Sequence, residues 1–273
     1  MTPEVIDGMS NAEYHASPAL GSTSLKTLAT KTPAHYKHDQ ENPRHSDAFD
    51  LGTVVHSLVL EQDESGVVVV DADTWRTKTA KEQQDAARAE GNIALLTADW
   101  EQAKAMRDAI MGHPVAGPLF DGHIAEQSIF WEEDGLKLKV RPDAQNHGLI
   151  IDLKTTRDAN PNTFGKIATD FGYHQSAALY QEGVELVTGE RRPFLFVLAE
   201  KTLPHLVSVV ELDEDALEYG RLLNDRAKRI YRECVASGNW PGYPKTEPIS
   251  LPMWAIYQMD DLLGINTEMD IVI

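Results

Sequence analysis

Asp152 and Lys154 stand two residues apart in Leu149–Thr155, an apolar and β-branched run that follows Gly148. In a strand, residues i and i+2 leave the same face, so this carboxylate and ammonium project together beside Ile150. Placing both on a face otherwise suited to burial costs several kcal/mol unless something compensates. No other lysine of the chain has an acidic residue two positions before it. Asp143 follows Pro142 in the chain's one Pro-Asp pair. A turn over Gln145–Gly148 returns the chain antiparallel and carries Asp143 toward Asp152. Two carboxylates and a lysine then converge at one sheet edge. Hard oxygen donors of this kind select Mg²⁺ or Mn²⁺ over softer metals. Such an ion lowers the pKa of a bound water and neutralises charge on a phosphoryl oxygen. A lysine beside it stabilises the growing negative charge or orients the attacking water. The same spacing also describes a surface hairpin with an i, i+2 ion pair, and spacing by itself leaves both readings open.

Strands and helices must hold these groups. Ile124–Trp131 and Leu136–Ala144 read as strands joined by the turn Glu132-Glu133-Asp134-Gly135, with Leu149–Thr155 as the third strand of a meander. Leu136, Leu138 and Val140 alternate with Lys137, Lys139 and Arg141, which predicts one buried face and one basic face. Pro161-Asn162-Thr163 opens a long helix running to about Val187. Strands at Phe194–Ala199 and His205–Leu212 follow, then a helix from Asp213 to about Ala236. Upstream, the apolar positions 51, 54, 55, 58 and 59 form the stripe of an amphipathic helix. A short helix from Ser22, a buried strand at Val67–Val70, a polar helix within 74–90 and a helix from Thr97 to Met111 complete the pattern. The order predicts an α/β fold with a mixed central β-sheet flanked by helices.

Composition removes several classes. The chain has 273 residues and a formal net charge of −18 with His neutral. That length buries a core without staples. One cysteine, Cys234, excludes a disulfide framework and four-cysteine zinc or iron–sulfur sites within one chain. No HExxH pattern and no Walker-type phosphate loop occurs, which disfavours a zinc hydrolase and an ATP-driven motor. No apolar run is long enough to span a bilayer, and Met1–Ser10 has neither the basic nor the apolar stretch of a secretory leader. A cytoplasmic protein with no membrane partner is expected. The acidic total repels nucleic acid at long range, but that field is screened over about 8 Å at physiological salt. A local basic strip can therefore still hold a phosphate backbone.

Arg141-Pro142-Asp143 followed by Ile151-Asp152-Leu153-Lys154-Thr155-Thr156 resembles the PD-(D/E)xK nuclease signature. More narrowly, the chain is similar to the RecE-type exonucleases (exonuclease VIII) of phages and prophages. Segments carrying this likeness span most of it: Tyr14-His15, Ser22-Thr23-Ser24-Leu25, Pro33-Ala34-His35-Tyr36, Gly52-Thr53-Val54-Val55-His56 with Leu60-Glu61, Ala125-Glu126, Tyr173-His174, Tyr180, and Trp240-Pro241-Gly242-Tyr243. The resemblance implies a PD-(D/E)xK restriction-endonuclease-like core. It implies one nuclease domain over 1–273, with an N-terminal extension (1–50), a core (51–240) and a C-terminal tail (241–273). Asp143, Asp152, Lys154 and Glu126 are the implied catalytic residues. His56, Asp143, Asp152 and the Leu153 carbonyl are the implied ligands of Mg²⁺, for which Mn²⁺ substitutes. From spacing alone, His56 at the edge of the 51–59 stripe more often reads as a satisfied core histidine, and Glu126 suits an ordinary exposed strand glutamate.

Related nucleases carry Gln-x-x-x-Tyr on the helix after the lysine, and here Gln175 and Tyr180 are five apart with Ser176 at the glutamine position. Arg141, Tyr173, Gln175 and Tyr180 are the candidates for contact with DNA. The implied activity is digestion of linear duplex from the 5′ end, leaving 3′ single strands for a RecT-like annealing partner. A PD-(D/E)xK endonuclease and a catalytically inactive DNA-binding subunit are the alternatives, and intact Asp143, Asp152 and Lys154 argue against the second. Enclosing DNA in a closed ring would let so acidic a chain stay on its substrate, and the RecE resemblance implies that the ring is a homotetramer. Residues 1–50 and the Trp240–Ile273 tail are expected to supply interface, through Tyr14, Tyr36, Trp240, Tyr243, Trp254 and Tyr257, or else to cap the monomer's own core.

Overall fold

The computed structural model describes residues 3–42, 50–146, 148–244 and 248–265. The chain begins with β1 (Glu4–Ile6), α1 (Asn11–Ala16), α2 (Ser22–Thr30) and α3 (Pro33–Glu41). Next come α4 (Asp50–His56), continued by a π-helical turn (Ser57–Glu61), then β2 (Val67–Val70), α5 (Lys78–Ala89), β3 (Ile93–Leu96), α6 (Thr97–Met111) and α7 (Ala116–Leu119). The strands β4 (Ile124–Ala125), β5 (Ser128–Glu133), β6 (Leu136–Val140), β7 (Ala144–Asn146) and β8 (Leu149–Thr156) follow. After them lie α8 (Pro161–Phe171), α9 (Tyr173–Thr188), β9 (Phe194–Glu200), β10 (Val207–Glu211) and α10 (Glu214–Ser237). Residues from Pro241 onward form a separate unit containing α11 (Met253–Leu263), in which Trp254 and Tyr257 are exposed. Among the described residues no helix is long and apolar enough to cross a membrane.

The central sheet runs β10-β9-β8-β7-β4, with β8 and β9 parallel and the other neighbours antiparallel. The pleat of β8 sorts its residues between two layers. Ile150 joins a core with Leu25 and Leu28 of α2, Phe164 of α8, Leu179 of α9 and Leu217 of α10. Ile151 and Leu153 face Val55 of α4, Val59 of the π-helical turn and Met106 of α6. The expected mixed sheet flanked by helices is what the chain builds.

Several local expectations change. The segment expected as one strand over Ile124–Trp131 is two, β4 in the central sheet and β5 in a second sheet ordered β1-β5-β6. The break falls at Glu126, whose φ of 49° lies in the left-handed region that no strand accommodates. Leu136–Ala144 likewise splits into β6 and β7 around Arg141-Pro142-Asp143, where Pro142 has no N–H to continue a ladder. The expected basic face of β6 is not solvent-facing beyond Lys137. Lys139 donates to the Tyr14 and Ser17 carbonyls, and Arg141, 6% exposed, donates to Ser128 Oγ and the Met9 carbonyl. α1 and the turn leading into it, from Met9 to Ser17, cover that face. The long helix expected to Val187 is α8 and α9, divided at Gly172 with φ 64°. The strand Val67–Val70 buries only Val70 and pairs with β3, a strand the sequence pattern did not reveal.

The described helices within residues 1–50 contribute to the core. Leu25, Leu28 and Tyr36 belong to the same cluster as Ile150. Tyr14 and Tyr36, expected as exposed interface aromatics, are buried. Tyr36 meets the rings of Trp240 and Tyr231 at centroid distances of 5.6 and 5.8 Å. An aromatic ring inside a core contributes more than one on a surface, because burial removes more of its apolar area from water. The end of the tail, 266–273, lies outside the described residues.

Helices α9 and α10 approach closely at Gly220, where an added Cβ would lie 2.3 Å from the His174 carbonyl oxygen. Backbone cannot yield there as a flexible side chain would. Gly220→Ala is therefore expected to cost about 1–3 kcal/mol or more by overpacking. A urea midpoint lowered at unchanged slope would register it, and an unchanged midpoint would show that the helices part freely.

Candidate active site

The pairing of β7 with β8 sets Ala144 opposite Ile151, so Asp143, one residue earlier, arrives beside Asp152. Asp143 Oδ2 accepts the Leu153 backbone N–H at 2.8 Å, fixing the carboxylate against β8. Asp152, 3% exposed, is ion-paired with Lys154 on the same strand face. Helix α4 crosses this strand through Gly52, where an added Cβ would lie 3.1 Å from Thr155 Oγ1. One turn further on, the same helix face presents His56. Its Nδ1 lies 3.7 Å from Asp143 Oδ2.

Glu126 completes the group from the break between β4 and β5. Its backbone N–H donates to the Asp143 carbonyl at 3.1 Å, and its left-handed φ turns the side chain off the path an extended strand would take. One donor atom from each of His56, Glu126 and Asp143 lies within 4.8 Å of the others. Asp152 and Lys154 adjoin this cluster, and Lys154 Nζ sits 5.4 Å from the centre of the Tyr173 ring.

Burial governs the electrostatics. It pushes Asp152 up to about 6 against the opposing pull of Lys154, and it raises Asp143 as well. Glu126 rises to about 8, through burial first and the Asp143 carboxylate next, with Arg141 opposing. Burial and the Lys154 charge hold His56 down at about 4, so its imidazole is neutral with a lone pair free to ligate. Lys154 is held above its ordinary value because Asp152 and Asp143 outweigh its burial. Three carboxylates raised by burial and a neutral imidazole form a donor set whose chemistry suits a divalent cation. An imidazole nitrogen with carboxylate oxygens suits Mn²⁺ well and Mg²⁺ adequately.

The structure thus gathers His56, Glu126, Asp143, Asp152, the Leu153 backbone, Lys154 and Tyr173. Tyr180 lies behind them, its hydroxyl raised well above the ordinary value by burial and hydrogen-bonded with Ser22. Gln175 is buried, and no protein partner meets its side-chain amide among the described residues. Arg141, expected at DNA, is removed from that set because its guanidinium is consumed inside the protein and lies 4.3 Å from the Tyr14 ring centre. One residue escaped the sequence reading. Lys26 of α2 donates to the Phe171 carbonyl at 3.3 Å, and its charge is felt together with those of Lys154 and Asp152. It directly follows the Ser22–Leu25 segment, but no spacing rule joins a residue at 26 to one at 154.

A helix-flanked mixed sheet that brings Pro142-Asp143 and Asp152-Leu153-Lys154 together on adjacent antiparallel strands defines a protein of the PD-(D/E)xK nuclease superfamily. The chain belongs to the family described as PDDEXK-like domain of unknown function (DUF3799), whose model matches residues 22–249. In structure it is similar to a protein from Eubacterium rectale named "Putative exonuclease", with a TM-score of 0.61 and 18% identity over 94% of this chain and 99% of that one. No curated protein matches it in sequence.

Proposed function

We propose that this protein is a Mg²⁺-dependent exodeoxyribonuclease of the RecE type, digesting linear duplex 5′ to 3′ and leaving 3′ single strands for an annealing protein. The observation that carries the reading is the cluster of His56, Glu126 and Asp143 donors within 4.8 Å, adjoining the buried Asp152–Lys154 pair. His56, Asp143, Asp152 and the Leu153 carbonyl, joined by Glu126, would hold the metal. When bound, the ion would supply Lewis acidity and a water of lowered pKa. Lys154 offers N–H donors to a phosphate oxygen, and Asp152 fixes where that ammonium points. Neutral His56 needs no proton loss before it ligates. Tyr173 lies under Lys154 and limits its rotamers.

The exonuclease polarity, the annealing partner and a tetrameric ring rest on the sequence resemblance. The E. rectale protein's name is consistent with an exonuclease. End-labelled linear duplex and closed circular plasmid, each incubated with Mg²⁺, test the reading. Stepwise release from 5′ ends with the plasmid intact is expected. Plasmid nicking would make the protein an endonuclease, and binding without cleavage in Mg²⁺ or in Mn²⁺ would make it an inactive subunit. Light scattering should give a particle well above the 30.3 kDa monomer.

A further inference from the structure

Phe171 is the last residue of α8 and is 61% exposed, the one phenylalanine so placed among the described residues. It is not a stray surface ring. Its plane lies 19° from that of Tyr173 at a centroid distance of 5.6 Å. Tyr173 in turn stacks on Phe196 at 5.7 Å and on Phe164 at 6.2 Å, and both of these are buried. The stack therefore runs from the core to the surface and ends on an open aromatic face. Gly172 makes this possible. Its left-handed φ of 64° lets residues on either side of it face each other, and an added Cβ there would strike Lys26 Cδ at 2.7 Å.

Cations stand beside the stack. Lys154 Nζ lies 5.4 Å from the middle ring, and Lys26 Nζ is 3.3 Å from the Phe171 carbonyl. Among the described residues no carboxylate is ion-paired with Lys26, in a chain whose acidic groups outnumber its basic ones by 43 to 25. An exposed ring ending a stack, with one ammonium at its own backbone carbonyl and another over the next ring, matches a nucleotide, with its flat base and anionic phosphate, and not a lipid or an apolar peptide. Because its neighbours already fix the ring, little freedom is lost when something stacks on it.

We propose that the exposed face of Phe171 seats a nucleobase of the strand being cut, with Lys26 and Lys154 meeting the adjoining phosphates. This rests on the nuclease reading of the neighbouring site. The ring is a positioning element and takes no part in bond breaking. The stack is made equally before and in the transition state, so its loss should raise KM and leave kcat in place.

The test is a cycle on short duplexes cleaved with Mg²⁺, using wild type, Phe171→Ala and Phe171→Trp. The substrates carry one abasic nucleotide at each of the terminal positions of either strand in turn. Phe171→Ala should raise KM roughly tenfold on intact duplex, and Phe171→Trp should restore it. At one abasic position wild type should lose the same factor, and Phe171→Ala should lose nothing further. Unchanged melting curves are expected, since the ring is exposed. An unaltered KM in Phe171→Ala, or losses that multiply at every abasic position, would overturn the stacking seat while leaving the nuclease reading intact. A wild-type protein that cleaves no duplex would remove both.

Discussion

Asp152→Asn and Lys154→Ala are each expected to lower cleavage by on the order of a thousandfold, the scale on which one preorganised charge-stabilising group acts. Neither side chain completes an apolar core, so circular dichroism should remain that of the wild type. Their effects on stability differ. Lys154→Ala strands a nearly inaccessible carboxylate that burial already raises to about 6. Lys154 is what opposes the effect of burial, so in the variant Asp152 titrates above about 6. Its unpaired charge destabilises the fold at alkaline pH, and at low pH it takes up a proton and most of the penalty disappears. Melting of Lys154→Ala should thus lie further below wild type at pH 8 than at pH 5. Asp152→Asn removes the buried charge and should show little such dependence. Near-normal turnover in either variant would exclude that residue from the chemistry.

Metal affinity is expected to fall about tenfold per pH unit on acidification below pH 8, and protonation of Glu126 and Asp152 should cause the fall. Glu126 rises to about 8 and Asp152 to about 6, so protons compete with the ion across this window. His56 at about 4 stays neutral throughout it. The same shifts set the stability of the metal-free protein. Glu126 and Asp152 have folded values above their unfolded ones. Their contribution is therefore full below the unfolded carboxylate range and is lost as pH rises through about 6 and then about 8. His56, depressed from 6.5 to about 4, contributes above 6.5 and loses that contribution as pH falls toward 4. Mn²⁺ titration calorimetry at pH 6, 7 and 8, in buffers of differing ionisation enthalpy, should show proton release on binding. Glu126→Gln should flatten the dependence near pH 8, whereas His56→Ala should weaken binding and leave the dependence in place. A pH-independent affinity would mean that these carboxylates do not hold the ion. An acid limb abolished by His56→Ala would make the imidazole the titrating group.

Asp152 and Lys154 were legible in the sequence because a strand's period of two places both on one face whatever surrounds it. Asp143 was legible because a short antiparallel return allows little choice of register. The amphipathic stripe at 51–59 likewise gave the helix bearing His56, and the alternation of strand and helix gave the mixed sheet. Tertiary structure decided the rest. Glu126 reaches the cluster because the chain leaves one sheet for another at a left-handed residue, which periodicity cannot register. Lys139 and Arg141 look like a solvated stripe until α1 and the turn before it, more than a hundred residues earlier in the chain, close over them. Lys26 and Phe171 meet beside the site only because Gly172 reverses direction and α2 packs beneath it. Local spacing fixes which side chains share a face, since it depends on backbone geometry alone. Which faces are buried, and which distant residues share a site, depends on long-range packing that no window of sequence contains.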